Sequence, residues 1–196
     1  MTGIIAHRGF NGLYPENTRR AFEEALKLDI AGIECDVNLT ADGQVVVIHD
    51  LSVDRTSDGT GEVGDMTLDE LRRLNVGTER DPQQIMTLDE LLDLVCEHPG
   101  KHILIETKHP SPFGAALEEA VARVLRARGL EADERVHLIS FNPEAIERFQ
   151  RLLPELEAFL LYDERSAPFA PIGTCGAGPS IWQAKAQPEL FDGGAR

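Results

Sequence analysis

The segment GIECDVNLTADGQVVVIHD, Gly32 to Asp50, contains two strand-type runs, Gly32–Val37 and Gln44–Ile48, and each runs into polar, chemically active side chains. The runs are aliphatic and β-branched with little polar alternation, the pattern of parallel strands covered on both faces. Leu39–Gln44 between them reads as a turn, with Asp42-Gly43 supplying the positive-φ positions. It is too short for the crossover helix that joins parallel neighbours, so a hairpin-like excursion is expected here.

The same type of run recurs at Gly3–Ala6, His102–Glu106, Val136–Ser140 and Ala158–Tyr162. Helical periodicity fills the intervals at Thr18–Leu28, Leu68–Leu74, Leu88–Cys96, Ala115–Arg128 and Pro143–Leu153. Repeated β-α-β order predicts an α/β fold, either a barrel or a doubly wound sheet. The near-copies MTLDELRRL at Met66 and MTLDELLDL at Met86 are read as two capping boxes, Thr67 with Glu70 and Thr87 with Glu90, and not as an internal repeat. Asn17 or Thr18 is read chiefly as a helix N-cap, with substrate contact as the alternative. After Arg165 the apolar period stops and prolines and glycines accumulate, so the expected domain is 1–165, followed by an irregular tail, 166–196.

The chain of 196 residues has a net charge of −15, spread along its length, which argues against a nucleic-acid partner. An anionic substrate would need local positive charge from a metal or from basic side chains. The three cysteines are widely spaced and form neither a disulfide framework nor a zinc pattern, which points to a cytoplasmic location. No segment approaches the roughly 18 uninterrupted apolar residues of a transmembrane span.

In parallel α/β folds the C-terminal strand ends carry the active site. Here those ends bear His7 and Arg8, Glu34 and Asp36, His49 and Asp50, and Glu106 and Lys108. Glu34 and Asp36, at i and i+2, share a strand face with Cα atoms about 6.6 Å apart. Two carboxylates so placed repel, and a hard divalent cation relieves the repulsion. With Glu106 as a third carboxylate the donors are all oxygens, favouring Mg²⁺ or Ca²⁺ over zinc. His7 and His49 are suited to proton exchange near neutral pH, and Arg8 and Lys108 to holding phosphate oxygens. Asp50 either orients His49 or caps a loop. His98, His102, His109 and His137 are assigned no role. These parts together suit metal-assisted hydrolysis of a phosphodiester.

AHRG followed by PENT, then IECDV, the DG turn, VVIHD, MTLDEL, LIETK and ISF, in that order, resemble the glycerophosphodiester phosphodiesterase family from about Ile4 to Tyr162. The resemblance implies a TIM barrel that hydrolyses glycerophosphodiesters to an alcohol and glycerol 3-phosphate. It implies Glu34, Asp36 and Glu106 as ligands of a divalent metal, Mg²⁺ or Ca²⁺, His7 and His49 as the acid/base pair, and Arg8 and Lys108 as phosphate contacts. The family's WTVN-like seventh strand and GIITD-like eighth strand are not found, and Trp182 in SIWQAK is not equated with the family's tryptophan. A barrel truncated after about six strands is therefore expected, marginally stable and self-associating through open edges at Gly3–Ala6 and Ala158–Tyr162. A non-catalytic phosphodiester or metal binder and an inactive fragment remain as alternative readings.

Overall fold

The computed structural model describes residues 3–162 and 176–179. Seven strands form one sheet: β1 (Ile5–His7), β2 (Gly32–Leu39), β3 (Val45–Val47), β4 (His102–Thr107), β5 (Val136–Ser140), β6 (Glu157–Tyr162) and β7 (Gly176–Pro179). Their order is β1-β2-β4-β5-β6-β7, every neighbour parallel, with β3 paired to β2 outside that path. Five α-helices accompany them: α1 (Arg19–Leu26), α2 (Leu68–Leu71), α3 (Leu88–Cys96), α4 (Ala116–Ala127) and α5 (Pro143–Leu152).

The predicted strand segments are found, joined by a hairpin where one was expected, and one further strand is added. The run beginning at Gln44 is not a parallel stave: β3 lies antiparallel to β2, with Val37 opposite Val47 and Leu39 opposite Val45. The six-residue turn dictates this, since a tight connection can only return the chain antiparallel. The sixth parallel strand is instead β7, within the stretch expected to be irregular. It pairs with β6 from Phe159↔Gly176 to Tyr162↔Pro179, so the expected open edge on β6 is covered and offers no support for self-association. The expected boundary near Arg165 and Trp182 lie outside the described residues. Among the described residues, no helix is long and apolar enough to cross a membrane.

Period-two alternation separates the two faces of the sheet. Ile33, Cys35, Val37 and Leu39 of β2 join Ile103 and Ile105 of β4 and Leu138 of β5 in a core against Phe22, Leu91, Leu92, Leu117, Val121 and Phe149 of the helices. Glu34, Asp36, Asn38 and Glu106 therefore share the opposite face, and all four are buried. Gly32 permits β2 and β4 to begin side by side, because a Cβ there would stand 2.1 Å from the His102 carbonyl oxygen. A smaller cluster of Val46, Ile48, Val53, Val63, Leu71, Val76 and Ile85 supports the long excursion between β3 and α3.

Helix starts follow local chemistry. Thr18 caps α1 by accepting from the Ala21 N–H, and both MTLDEL segments form complete capping boxes. Asn142 caps α5, where Pro143 takes the position that needs no donor.

Behind the β4–α4 loop, Glu118 of α4 is fully buried, accepting from His109 Nε2 at 2.6 Å and from Arg148 Nε of α5 at 2.7 Å. Burial pushes the Glu118 carboxyl up, but the hydrogen bonds from His109 and Arg148 outweigh it and leave it below its ordinary value of 4.5. Glu118→Ala strands two largely covered donors, so a loss of about 3 kcal/mol is expected, or roughly 6–12 °C in melting temperature. Because the folded value is depressed, this contribution is present above the unfolded pKa and lost as pH falls through the folded one. Melting curves should therefore show a gap between parent and variant at pH 7 that narrows below pH 4.5. A gap unchanged across that range would mean that the carboxylate charge contributes nothing.

Candidate active site

The site grows from the overshoot of β2. Its C-terminal half continues past the end of β1 to Leu39, and the hairpin then returns β3 along the edge that β1 has left free. The Ile48 N–H donates to the Asp36 carbonyl at 3.0 Å, which brings His49 back down beside the carboxylates. His49 thus reaches the site from an antiparallel strand, while His7 and Glu106 reach it from parallel ones. Asn38, two residues beyond Asp36 on the same face, donates from Nδ2 to the carbonyl oxygens of Ile48 at 3.0 Å and Asp50 at 3.3 Å. It pins the turn that carries His49.

One ligand atom from each of Glu34, Asp36 and Glu106 lies within 4.8 Å of the others. Two cations brace this cluster. Arg8 Nε stands 3.0 Å from Asp36 Oδ2, and Lys108 Nζ bridges Asp36 Oδ1, at 2.7 Å, and Glu106. Three carboxylates thus face two permanent positive charges. Glu34 is the one left short: its Oε2 accepts from the Arg8 backbone N–H at 3.0 Å, whereas the buried Oε1 has no hydrogen-bond partner. Burial, reinforced by the charges of Asp36 and Glu106, pushes the Glu34 carboxyl up to about 8. Burial also raises Glu106, against the opposing pull of Lys108. An all-oxygen cluster with an orphaned buried acceptor, and with a third carboxyl whose ionisation is opposed by burial and by its two neighbours, fits a hard divalent cation.

The loop after β1 is bent to serve this cluster. Arg8 and Asn17 both take φ 56°, in the left-handed region, and Gly9 takes φ 78°. A Cβ on Gly9 would meet the backbone of Ala21 at 2.8 Å, so only glycine lets the loop close onto α1. The turn aims Asn17 inward, where its Nδ2 donates to Asp36 Oδ2 at 2.9 Å. Thr18 provides the N-cap, and Asn17 instead bonds a carboxylate of the cluster. Glu16 ties Arg8 to Arg55, accepting from Arg8 Nη1 at 2.9 Å and Arg55 Nη2 at 2.8 Å.

The two histidines differ in their surroundings. His7 Nε2 lies 3.9 Å from Glu34 Oε2, and its ring is largely exposed. Partial burial, with help from the positive charges of Arg8 and Lys108, holds it below the ordinary value of 6.5 and therefore neutral at pH 7. His49 Nδ1 is 2.5 Å from Asp50 Oδ1, and Arg55 Nε donates to Asp50 Oδ2 at 2.6 Å. The Arg55 hydrogen bond, then that of His49, lowers the Asp50 carboxyl to about 2, so Asp50 stays anionic and holds the ring by Nδ1, while Nε2 has no hydrogen bond among the described residues. Of the two roles open to Asp50, the structure places it as the partner of His49.

The seven residues singled out in the sequence surround one carboxylate cluster. Glu16, Asn17, Asn38 and Arg55 join them. Asn38 was within reach of the two-residue period that pairs Glu34 with Asp36, but Arg55 bonds Glu16 across 39 positions and has no local signal. His98 caps its own helix by bonding the Leu94 carbonyl, and His102 and His137 stack on each other with ring centroids 5.1 Å apart, away from the cluster. A cleft of about 670 Å³ opens over the site, lined by His49, Asp50, Glu106 and Lys108 and continuing past Leu51, Glu62, Pro110 and Phe141.

Comparison with known proteins gives this arrangement its context. The chain is 37% identical to "Probable glycerophosphodiester phosphodiesterase 1" of Mycobacterium tuberculosis, over 96% of this chain and 76% of that protein. It is 39% identical to the glycerophosphodiester phosphodiesterase of Caldanaerobacter subterraneus, over 82% of this chain and 67% of the relative. Against the curated Bacillus subtilis relative YhdW, at 42% identity, the chain spans 63% of that protein's length. Among solved structures, an Oleispira antarctica phosphodiesterase in complex with sn-glycerol-3-phosphate superposes with a TM-score of 0.78 at 28% identity, covering 97% of this chain and 72% of that one. A glycerophosphodiester phosphodiesterase from Agrobacterium tumefaciens superposes with a TM-score of 0.72 at 33% identity, covering 82% and 67%. The fold is that of the TIM barrel. The match to the glycerophosphoryl diester phosphodiesterase profile begins at His7 itself and runs to residue 191, through every strand that carries a carboxylate of the cluster, and the chain belongs to that family.

Proposed function

We propose that the chain hydrolyses glycerophosphodiesters to glycerol 3-phosphate and an alcohol. The observation that supports this most directly is the Glu34–Asp36–Glu106 cluster, braced by Arg8 and Lys108 and flanked by two histidines of unlike environment. Glu34, Asp36 and Glu106 would hold Mg²⁺ or Ca²⁺, and the cation would supply positive charge for an anionic diester on a chain of net charge −15. Arg8 and Lys108 place their donors on the same side and add the directional contacts a phosphate needs.

The histidines divide the proton transfers. His7, kept neutral, accepts the proton of the attacking water as its oxygen bonds to phosphorus. His49, aligned by anionic Asp50, delivers a proton to the departing alcohol oxygen as the phosphorus–oxygen bond breaks. Asp50 holds the His49 ring by its Nδ1, much as a triad carboxylate orients its histidine. The related Oleispira antarctica phosphodiesterase was solved with sn-glycerol-3-phosphate bound as its product, which is consistent with this product assignment.

The test is release of glycerol 3-phosphate from glycerophosphocholine by the purified chain in Mg²⁺ or Ca²⁺, and its loss in chelator. Release that is equal with and without chelator removes the metal from the reading. No release at any metal concentration, from a folded and metal-responsive chain, favours a binding role.

A further inference from the structure

The cleft over the site mixes charge with apolar surface. Lys108 and Glu106 line it together with Leu51, Pro110, the half-exposed Phe141 and Glu62. A second cleft of about 500 Å³ shares Leu51, Glu62 and Pro110 and adds Leu39, Val63, Asp65 and Phe113. Glu62 and Asp65 differ from the other acidic residues around the site. Glu16, Asp50 and Glu106 each hold a basic partner, but among the described residues neither Glu62 nor Asp65 forms an ion pair or accepts a side-chain hydrogen bond.

Glu62 is also held in place. Residues Ser52 and Glu62 form a β-bridge, the Val63 N–H donates to the Leu51 carbonyl at 2.8 Å, and Val63 is anchored in the small core below. The backbone that presents this carboxylate to the cleft is thereby fixed. A single cleft that offers a carboxylate without a basic partner among the described residues, an exposed aromatic ring and apolar walls has the chemistry that receives an ammonium group carrying carbon substituents. A neutral polyol gains nothing from it, and an anionic alcohol is repelled.

We infer that Glu62, with Phe141, is a specificity-determining residue that selects diesters whose released alcohol carries a cation, such as ethanolamine or choline esters. This rests on the phosphodiester-binding reading above and adds to it the identity of the alcohol. Each contact is at a partly solvated site, so the expected discrimination is modest, roughly threefold to tenfold.

The test uses the full chain loaded with Ca²⁺ and calorimetric titration with glycerophosphocholine and glycerophosphoglycerol, which share the phosphodiester and differ in the alcohol. The parent is expected to bind the choline ester more tightly by that factor. Glu62→Gln, a substitution at an exposed position, is expected to bring the ratio of affinities toward one, and Phe141→Leu to reduce it in part. Equal affinities in the parent overturn the inference, as does a parent preference that survives Glu62→Gln. Turnover measured on the same samples separates the two readings. Selective binding without glycerol 3-phosphate release upholds the cation subsite and sinks the hydrolase assignment, whereas release of glycerol 3-phosphate from both esters without selectivity does the reverse. Binding of neither ester overturns both.

Discussion

Glu34→Gln is expected to abolish the thermal response of the chain to Ca²⁺ or Mg²⁺. A cation that binds only the folded state stabilises it by RT ln(1 + [L]/Kd), or about 2.7 kcal/mol at a hundredfold excess over Kd. For a chain of this size that corresponds to roughly 5–10 °C. Glutamine keeps the shape of Glu34 and an acceptor oxygen but cannot give up a proton to become the third anionic ligand, so the shift should vanish. The pH dependence gives a second signature. The Glu34 carboxyl is raised from 4.5 to about 8, first by burial and then by Asp36 and Glu106. A raised carboxyl contributes stability that is fully present below the unfolded value and lost as pH rises through the folded value. The metal-free parent should therefore lose stability between about pH 4.5 and 8, and the variant should not follow that part of the slope. The cation and the proton compete for the same carboxylate, so the metal response of the parent should grow from pH 6 to pH 8. Melting curves in chelator and in excess Ca²⁺ at three pH values measure all of this, and a parental metal shift that persists in Glu34→Gln would remove this residue from the ligand set.

The legibility of this site in the sequence tracks the range of the interactions involved. Strand identity follows from a two-residue period, so Glu34 and Asp36 could be placed on one face before any coordinates. Both capping boxes were legible for the same reason, since every partner lies within three residues. The antiparallel course of β3 was implied by the short turn, but its apolar composition matched a buried parallel strand, because burial on both faces erases the alternation that distinguishes the two. What carried no local signal was the second tier around the chemistry. Arg55 orients Asp50 and Glu16 from a long excursion, and Asn17 resembles a helix cap until a left-handed backbone turns it toward Asp36. The pairing of β7 with β6 was illegible for a different cause. The segment GAGP has neither a β-branched run nor a full complement of donors, and it is ordered by the edge it meets.

His7→Asn and His49→Asn are each expected to lower kcat by roughly 10²–10⁴, the usual cost of a lost proton-transfer partner. Neither should remove the Ca²⁺-induced thermal shift, because neither residue belongs to the carboxylate cluster. The two losses should nevertheless respond differently to the leaving group. Choline and ethanolamine leave as strongly basic alkoxides unless protonated, whereas p-nitrophenol leaves readily as its anion. If His49 supplies the proton to the departing oxygen, His49→Asn should recover most of its loss on a glycerophospho-p-nitrophenyl ester. His7→Asn should remain impaired on both substrates, since attack by water needs a proton acceptor whatever departs. Asp50→Asn should resemble His49→Asn in kind but lose less, because the imidazole stays and only its orientation is weakened. The carboxylate is held anionic by Arg55, so Arg55→Gln should reproduce a weaker version of the Asp50 effect without touching the metal response. Recovery by His7→Asn in place of His49→Asn would exchange the two roles, and equal recovery by both would mean that departure of the alcohol, not attack by water, limits each reaction and that neither histidine acts as the specific acceptor.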